Sequence, residues 1–305
     1  MYRNVKCLKC TAKAEVMCDM CNMSYCEKCS TDLVSCNKQI SKTGWTPELI
    51  LKFKNTGIFI GRGGKGRVFA NDTLDSSAVI KLSKSVTECT KYGTEYDIAK
   101  VISRAATTLH FRDENATVVK VCANVDGVVD PETNETFCAL VMQRVFRPVL
   151  EFGSDNTLSY QLYLGMDGTQ PSTHAQRGNY IGQKQLLELV GMKGLHAFTV
   201  SSGRLLAFLQ YGAKVDANDM EYLLGSSAEE PTRLKIFAVD FDRVGEVTHY
   251  QHNIDHLAWS LQAESYFPDP GDDMLYPLFK NAYLTEADKY GYKGIAEQVL
   301  ERYED

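Results

Sequence analysis

No stretch of this 305-residue chain approaches the roughly 18 uninterrupted apolar residues that suggest a membrane-spanning helix. Its first residues, Met1-Tyr2-Arg3-Asn4-Val5-Lys6, lack the apolar core of a secretory signal. Positive charge is not in excess: 33 Lys and Arg stand against 39 Asp and Glu, a net charge of -6. That balance argues against nonspecific binding to nucleic acid or an anionic membrane, although it leaves room for a local basic patch. Nothing in the composition suggests disorder or a fibre, because 44% apolar and 24% charged residues are ordinary for a globular chain with one large domain and one small one. These absences predict a soluble intracellular protein, cytoplasmic or nuclear.

Cysteine, by contrast, is concentrated. Seven of the ten cysteines fall between positions 7 and 36, whereas a secreted disulfide protein usually spreads them through its fold. Cys7 with Cys10, Cys18 with Cys21, and Cys26 with Cys29 form three C-x-x-C pairs, and Cys36 follows. Zinc takes four ligands in a tetrahedron, and each pair offers two thiolates from one tight turn. Two pairs therefore close a structural site and supply folding energy to a segment too short for a core. If the pairs interleave, Cys7, Cys10, Cys26 and Cys29 hold one zinc, and Cys18 and Cys21 need two partners among Cys36, Asp32 or a distant group. One or two zinc ions are expected. The spacing resembles a B-box-type finger, a cross-braced module that mediates protein contacts, but it departs from that family at the terminal histidines, since His110 is the first histidine in the chain. The resemblance implies a zinc module over residues 1–42 that binds a protein partner.

After a short linker, Lys42 to Pro47, alternating apolar runs begin. Gly57-Ile58-Phe59-Ile60 leads into Gly61-Arg62-Gly63-Gly64-Lys65-Gly66-Arg67-Val68, which matches G-x-G-x-x-G-x-V at every position. Such glycines alone say little. Their context decides: Val68-Phe69-Ala70 and Ala78-Val79-Ile80-Lys81-Leu82 read as strands, not as the helix that follows a dinucleotide-binding loop. A glycine hairpin lets backbone N–H groups lie over phosphates where a Cβ would block approach. Lys81, in A-V-I-K, fits a phosphate-binding lysine that needs an acid to hold it. Glu95 lies in a helical stretch whose Ile98, Val101 and Ile102 share a face, and it is the candidate. Each feature alone has a plain structural explanation, as a turn, a solvated lysine or a surface glutamate; their order gives them weight. Cys138 to Arg144 reads as a buried strand leading to a hinge.

Leu205 to Gly225 then reads as a helix, a polar loop and an apolar strand. Asp216 takes the place of a catalytic base, and Glu221, five residues later, that of a metal-binding Asn. Nineteen residues beyond Glu221, Phe237-Ala238-Val239-Asp240-Phe241-Asp242 reads as a buried strand ending in an acid, which resembles the metal-binding aspartate of a kinase D-F-G motif. Asp240 and Glu221 offer the hard oxygens that magnesium takes. Asp219 is a further acid in the loop, equally readable as a turn residue capping its own backbone. His252 and His256 lie one turn apart, but Asp255 points to another face, so a surface helix accounts for them better than a metal site does. Asp255 is a candidate anchor for the Asp216 loop.

Together these motifs resemble a protein kinase. From about Leu158 to Tyr283 the chain is similar to a fungal family, often labelled zinc-finger proteins, that shares the domain of unknown function numbered 3669. Leu162-Tyr163-Leu164-Gly165, the run Val215 to Gly225, Asp240-Phe241-Asp242 and Tyr266-Phe267-Pro268-Asp269-Pro270 carry the likeness. It implies an α+β, bilobal, protein-kinase-like fold over residues 50–305, with a small lobe at about 50–147 and a large lobe at about 148–305, and no established activity. Lys214-Val215-Asp216 replaces H-R-D, Glu221 replaces Asn, Asp242 replaces the glycine of D-F-G, and Gln210-Tyr211 stands where a His-Trp pair is expected; no A-P-E segment follows. The expectation is a Mg-ATP site built from Gly61, Gly63, Gly66, Val68, Lys81, Glu95, Glu221 and Asp240. In an atypical phosphotransferase, Lys81, Asp216 and Asp240 form the catalytic set, acting on a protein or a small molecule. The alternative is a pseudokinase adaptor that uses its zinc module and bilobal body to bind proteins.

Overall fold

The computed structural model describes residues 16–17, 24–25, 44–62, 66–146, 160–165, 180–262 and 265–305. Cys7, Cys10, Cys18, Cys21, Cys26, Cys29, Asp32 and Cys36 lie outside these residues. Within 1–43 the described backbone is a short antiparallel ladder, Val16–Met17 (β1) against Ser24–Tyr25 (β2). The chain divides into two compact units: Met1–Tyr96 with Lys120–Arg144, and Asp97–Val119 with Val145–Asp305. Each unit carries a five-stranded sheet, so the fold is mixed α+β. No helix among the described residues is long and apolar enough to cross a membrane.

The first unit opens with helix α1 (Pro47–Thr56). Thr46 caps it by accepting the Leu49 N–H at 3.3 Å, Pro47 fits the first turn where an N–H has no partner anyway, and Glu48 complements the positive end of the helix dipole. Its inward face presents Ile50 and Phe53, both fully buried. The helix stops at Gly57, where a Cβ would come within 2.4 Å of the Phe53 carbonyl and 2.7 Å of that of Ala70. Strands β3 (Ile58–Arg62), β4 (Gly66–Asn71), β5 (Ser76–Ser83), β7 (Val121–Val129) and β8 (Thr136–Gln143) form an antiparallel sheet in the order β3-β4-β5-β8-β7. The one-turn helix α2 (Asp72–Asp75) links β4 to β5, capped by Asn71. On one face Ile80, Leu82, Val128, Ala139 and Val141 pack with Ile50 and Phe53 into a dry core. Strand periodicity then puts Lys81, between Ile80 and Leu82, on the opposite face. Helix α3 (Cys89–Thr108) follows; its residues through Tyr96 belong to this unit.

The second unit has a mixed sheet, β10-β9-β11-β12-β6, made of β6 (Ala116–Val118), β9 (Tyr160–Tyr163), β10 (Tyr180–Gly182), β11 (Glu221–Gly225) and β12 (Lys235–Val239). β11 pairs antiparallel with β9 and β12, while the β10–β9 and β12–β6 pairs are parallel. Helix α4 (Gln183–Ala207) kinks at Gly191, where φ is +70°, and widens into a π-turn at Phe208–Gly212. It packs closely on α6 (Tyr276–Lys289): a Cβ on Gly203 would lie 2.6 Å from the Phe279 carbonyl. Helices α5 (Ile254–Gln262) and α7 (Lys293–Glu304) complete the unit. Gln210 and Tyr211 form a polar core. Gln210 is fully buried; its amide donates to Ser260 Oγ at 3.0 Å and its side-chain oxygen accepts from the Tyr283 hydroxyl. Tyr211 and Tyr283 share a hydroxyl hydrogen bond of 2.8 Å. Burial pushes the Tyr211 and Tyr283 hydroxyls far above the ordinary tyrosine pKa, so they act as neutral hydrogen-bonding groups.

Candidate functional site

In the first unit the ends of the glycine motif lie on two antiparallel strands, β3 and β4, and the register β3-β4-β5 sets Val68 opposite Lys81. Gly61 is buried beside a bulge in β3; Gly63 lies outside the described residues. Gly66 has no room for a side chain: a Cβ would fall 2.3 Å from Tyr92 Oη, 2.7 Å from the Leu82 carbonyl and 3.3 Å from Lys81 Cγ. The glycine thus lets the hairpin close directly over the Lys81 stem. Lys81 Nζ donates to both oxygens of Glu95, at 2.9 and 3.1 Å, and lies 5.6 Å from the centre of the Tyr92 ring. Glu95 is fully buried and Lys81 is 8% exposed. Taking two charges out of water costs several kcal/mol per ion, and an apolar pair of equal volume commonly does as well for stability. A buried, bidentate pair of this kind is therefore weak evidence for a purely stabilising role.

In the second unit, Asp216 lies on the loop between the π-turn and β11. Its carboxylate accepts the backbone N–H of Asn218 at 3.0 Å and of Gly245 at 2.9 Å, and its other oxygen contacts His256 Nε2 at 2.9 Å. The backbone is fixed as well: Asp216 N–H donates to the Gly245 carbonyl at 2.9 Å, and Val247 N–H to that of Lys214 at 2.8 Å. Asp216, only 6% exposed, therefore clamps two loops together. The approach is close at Gly245, where a Cβ would sit 3.0 Å from Asp216 Oδ2. Lys214, Ala217 and Asp219 all have φ between 56° and 60°, and Asp240 has φ 60°. Left-handed backbone at residues other than glycine costs about 1–2 kcal/mol each and concentrates where the surrounding structure enforces a working geometry.

Glu221 opens β11 opposite Val239, the last residue of β12, so Asp240 follows directly on Glu221's ladder partner. Phe241 is fully buried and anchors the acids that flank it. Carboxylate oxygens of Asp240 and Asp242 lie within 4.8 Å of one another. Oxygen donors at this spacing suit a hard divalent cation such as magnesium. Behind the strand, the Tyr222 hydroxyl is buried with no hydrogen-bond partner among the described residues, and burial raises its pKa well beyond the ordinary value.

Several expectations meet a different arrangement. Asp255 does not anchor the Asp216 loop; it is exposed and pairs with Arg302 at 2.7 Å. The neighbouring His256, exposed as the surface-helix reading expects, makes that contact and stacks on Trp259. Asp219 behaves as a turn residue, ion-paired to Arg243 at 3.1 Å. Tyr92 and Gly245 carried no sequence signal, because their roles exist only through partners distant along the chain. Cys89 and Cys138, which lie outside the N-terminal cysteine cluster and carried no expectation from the sequence, form a disulfide.

Neither a protein-family model nor a curated protein matches the chain.

Proposed function

We propose that this chain is a kinase-like protein that binds Mg-ATP, related to the fungal family with which its sequence shares motifs. The observation that carries this reading is the buried Lys81–Glu95 pair beneath a hairpin whose Gly66 admits no side chain. A lysine held this way meets phosphate oxygens as a fixed point charge, and hairpin N–H groups supply the remaining donors. Asp240, with Glu221 on the adjacent strand, is the proposed magnesium holder; the ion's role is to neutralise charge between the outer phosphates. The N-terminal cysteine pairs are proposed to hold one or two structural zinc ions and to bind a protein partner, within an intracellular setting. Thermal unfolding with ATP and magnesium or manganese tests the nucleotide claim: a metal-dependent rise in midpoint supports it, and a folded protein whose midpoint does not move sinks it.

A second reading is favoured by Asp216. The proposed base already accepts two backbone N–H groups and contacts His256, so its carboxylate serves loop geometry. This supports a pseudokinase adaptor that binds nucleotide without turning it over, whereas an atypical phosphotransferase requires Asp216 to accept a proton from an acceptor hydroxyl. Single-turnover assays separate the two: ATP consumption abolished by Asp216→Asn in a protein that still binds ATP indicates transfer, and its absence in the parent protein indicates the adaptor.

A further inference from the structure

We propose that the Cys89–Cys138 disulfide is a redox-responsive lock on the helix that presents Glu95, so that the thiol-disulfide state sets nucleotide affinity. The consequence for affinity rests on the Mg-ATP reading above; the lock itself does not.

Three residues on the first two turns of α3 face the same sheet. Cys89, Tyr92 and Glu95 fall at i, i+3 and i+6, within an arc of roughly 120° at 100° per residue. Cys89 is bonded to Cys138 in β8, Tyr92 packs on Gly66 and Lys81, and Glu95 holds Lys81. β8 in turn pairs with β5, setting Leu140 beside Lys81. The covalent tether and the ion pair therefore join the same helix to the same two adjacent strands. Along the helix they are separated by six residues, about 9 Å of rise.

The two ends of the disulfide are unequally fixed. Cys138 is fully buried, and its N–H donates to the buried Ser83 hydroxyl at 2.9 Å. Cys89 is half-buried and follows a single 3-10 turn, Val86–Glu88, whose Ser85 makes no side-chain cap hydrogen bond. Glu88, in that 3-10 turn, is the acid nearest the start of α3, and the first turn of α3 itself has none. With no side-chain cap at Ser85, the disulfide is the covalent restraint on where α3 begins. Breaking it frees the first turn to fray, and fraying there loosens Tyr92 and Glu95 on the same face.

The chemistry balances as ordinary thiol-disulfide exchange. The thiolate of a small thiol such as glutathione attacks the more accessible Cys89 sulfur, forming a mixed disulfide and releasing the Cys138 thiolate, which takes up a proton. A second small thiol attacks the mixed disulfide, leaves Cys89 reduced and departs as the small-molecule disulfide, so two electrons pass to the protein. Oxidised glutathione reverses both steps.

The full-length protein is equilibrated in mixtures of reduced and oxidised glutathione, and the Cys89–Cys138 state is read by mass spectrometry of alkylated peptides. Hydrogen exchange of amides 90–96 and the affinity for Mg-ATP are followed in parallel. The proposal expects the bond to open under millimolar reduced glutathione, exchange in 90–96 to accelerate, and affinity to fall by roughly fivefold or more, the lower range of allosteric coupling. The Cys89→Ala/Cys138→Ala double variant should match the reduced protein and ignore the redox mixture, which separates this bond from the N-terminal cysteines. A bond that stays closed throughout, or exchange in 90–96 that is equal in both states, overturns the lock. Accelerated exchange with unchanged affinity overturns the coupling. If neither state binds ATP, the nucleotide reading and the coupling fall together, while exchange still decides the lock.

Discussion

Replacing Asp216 by alanine tests whether its carboxylate is the clamp described above. The substitution removes the acceptor for the Asn218 and Gly245 N–H groups and leaves His256 without its carboxylate partner. A hydrogen bond to a charged group contributes about 1.5–3 kcal/mol. Both backbone donors are only partly buried, so the low end applies to each, and the half-exposed His256 ring turns to water at a cost under about 1 kcal/mol. The sum predicts a loss of about 3 kcal/mol from the second unit, a large share of typical domain stability. Fluorescence can isolate that unit, because the chain has two tryptophans, with Trp45 in the first unit and Trp259 in the second. In a Trp45→Phe background, urea unfolding followed through Trp259 should show the midpoint fall for Asp216→Ala and shift far less for His256→Ala. A loss below about 0.5 kcal/mol for Asp216→Ala, the size of an ordinary surface substitution, would refute the clamp and return Asp216 to the role of a free base.

Three further outcomes follow from particular contacts. Gly66→Ala forces a Cβ against Tyr92 Oη and the Leu82 carbonyl; chemical denaturation should show a loss of about 1–3 kcal/mol, as overpacking gives, together with weakened nucleotide binding. Lys54 is bonded to Asp130 and, helped by the Glu132 N–H, holds the Asp130 carboxyl below its ordinary pKa. A lowered folded-state pKa means stability present above about pH 4, the unfolded value, and lost as pH falls through the folded value; Asp130→Asn should therefore flatten the acid limb of a stability-pH profile. If the cysteine pairs hold zinc, chelation should release one or two equivalents and unfold residues 1–42, and Cys7→Ser/Cys10→Ser should abolish the release.

The strands and helices that carry the candidate groups were legible because each is announced locally. Glycines flanked by β-branched and aromatic residues gave the β3-β4 hairpin, A-V-I-K gave a buried strand, and the spacing of Ile98 and Ile102 gave α3. The Lys81–Glu95 pair was legible for a different reason: a buried lysine needs an acid, and a helix facing the strand could supply one. What escaped was long-range. His256 reaches Asp216 across 40 residues and Gly245 across 29, and no periodicity encodes which exposed side chain of α5 meets that carboxylate, so Asp255 was as good a choice as its neighbour. The Cys89–Cys138 bond spans 49 residues and was hidden by the denser N-terminal cysteines. The π-turn and the Gln210–Tyr211–Tyr283 network are likewise a packing solution that a substituted pair of residues could mark but not describe.

The central claim is that Lys81, held by Glu95, binds nucleotide phosphates. Calorimetric titration of Mg-ATP into the parent protein and into Lys81→Ala tests it most directly, with circular dichroism confirming that both are folded. Saturable one-to-one binding by the parent protein that requires magnesium or manganese is expected, with a loss of at least about tenfold, or about 1.4 kcal/mol, in Lys81→Ala. No binding by the folded parent protein, or equal affinity in the two proteins, would contradict it.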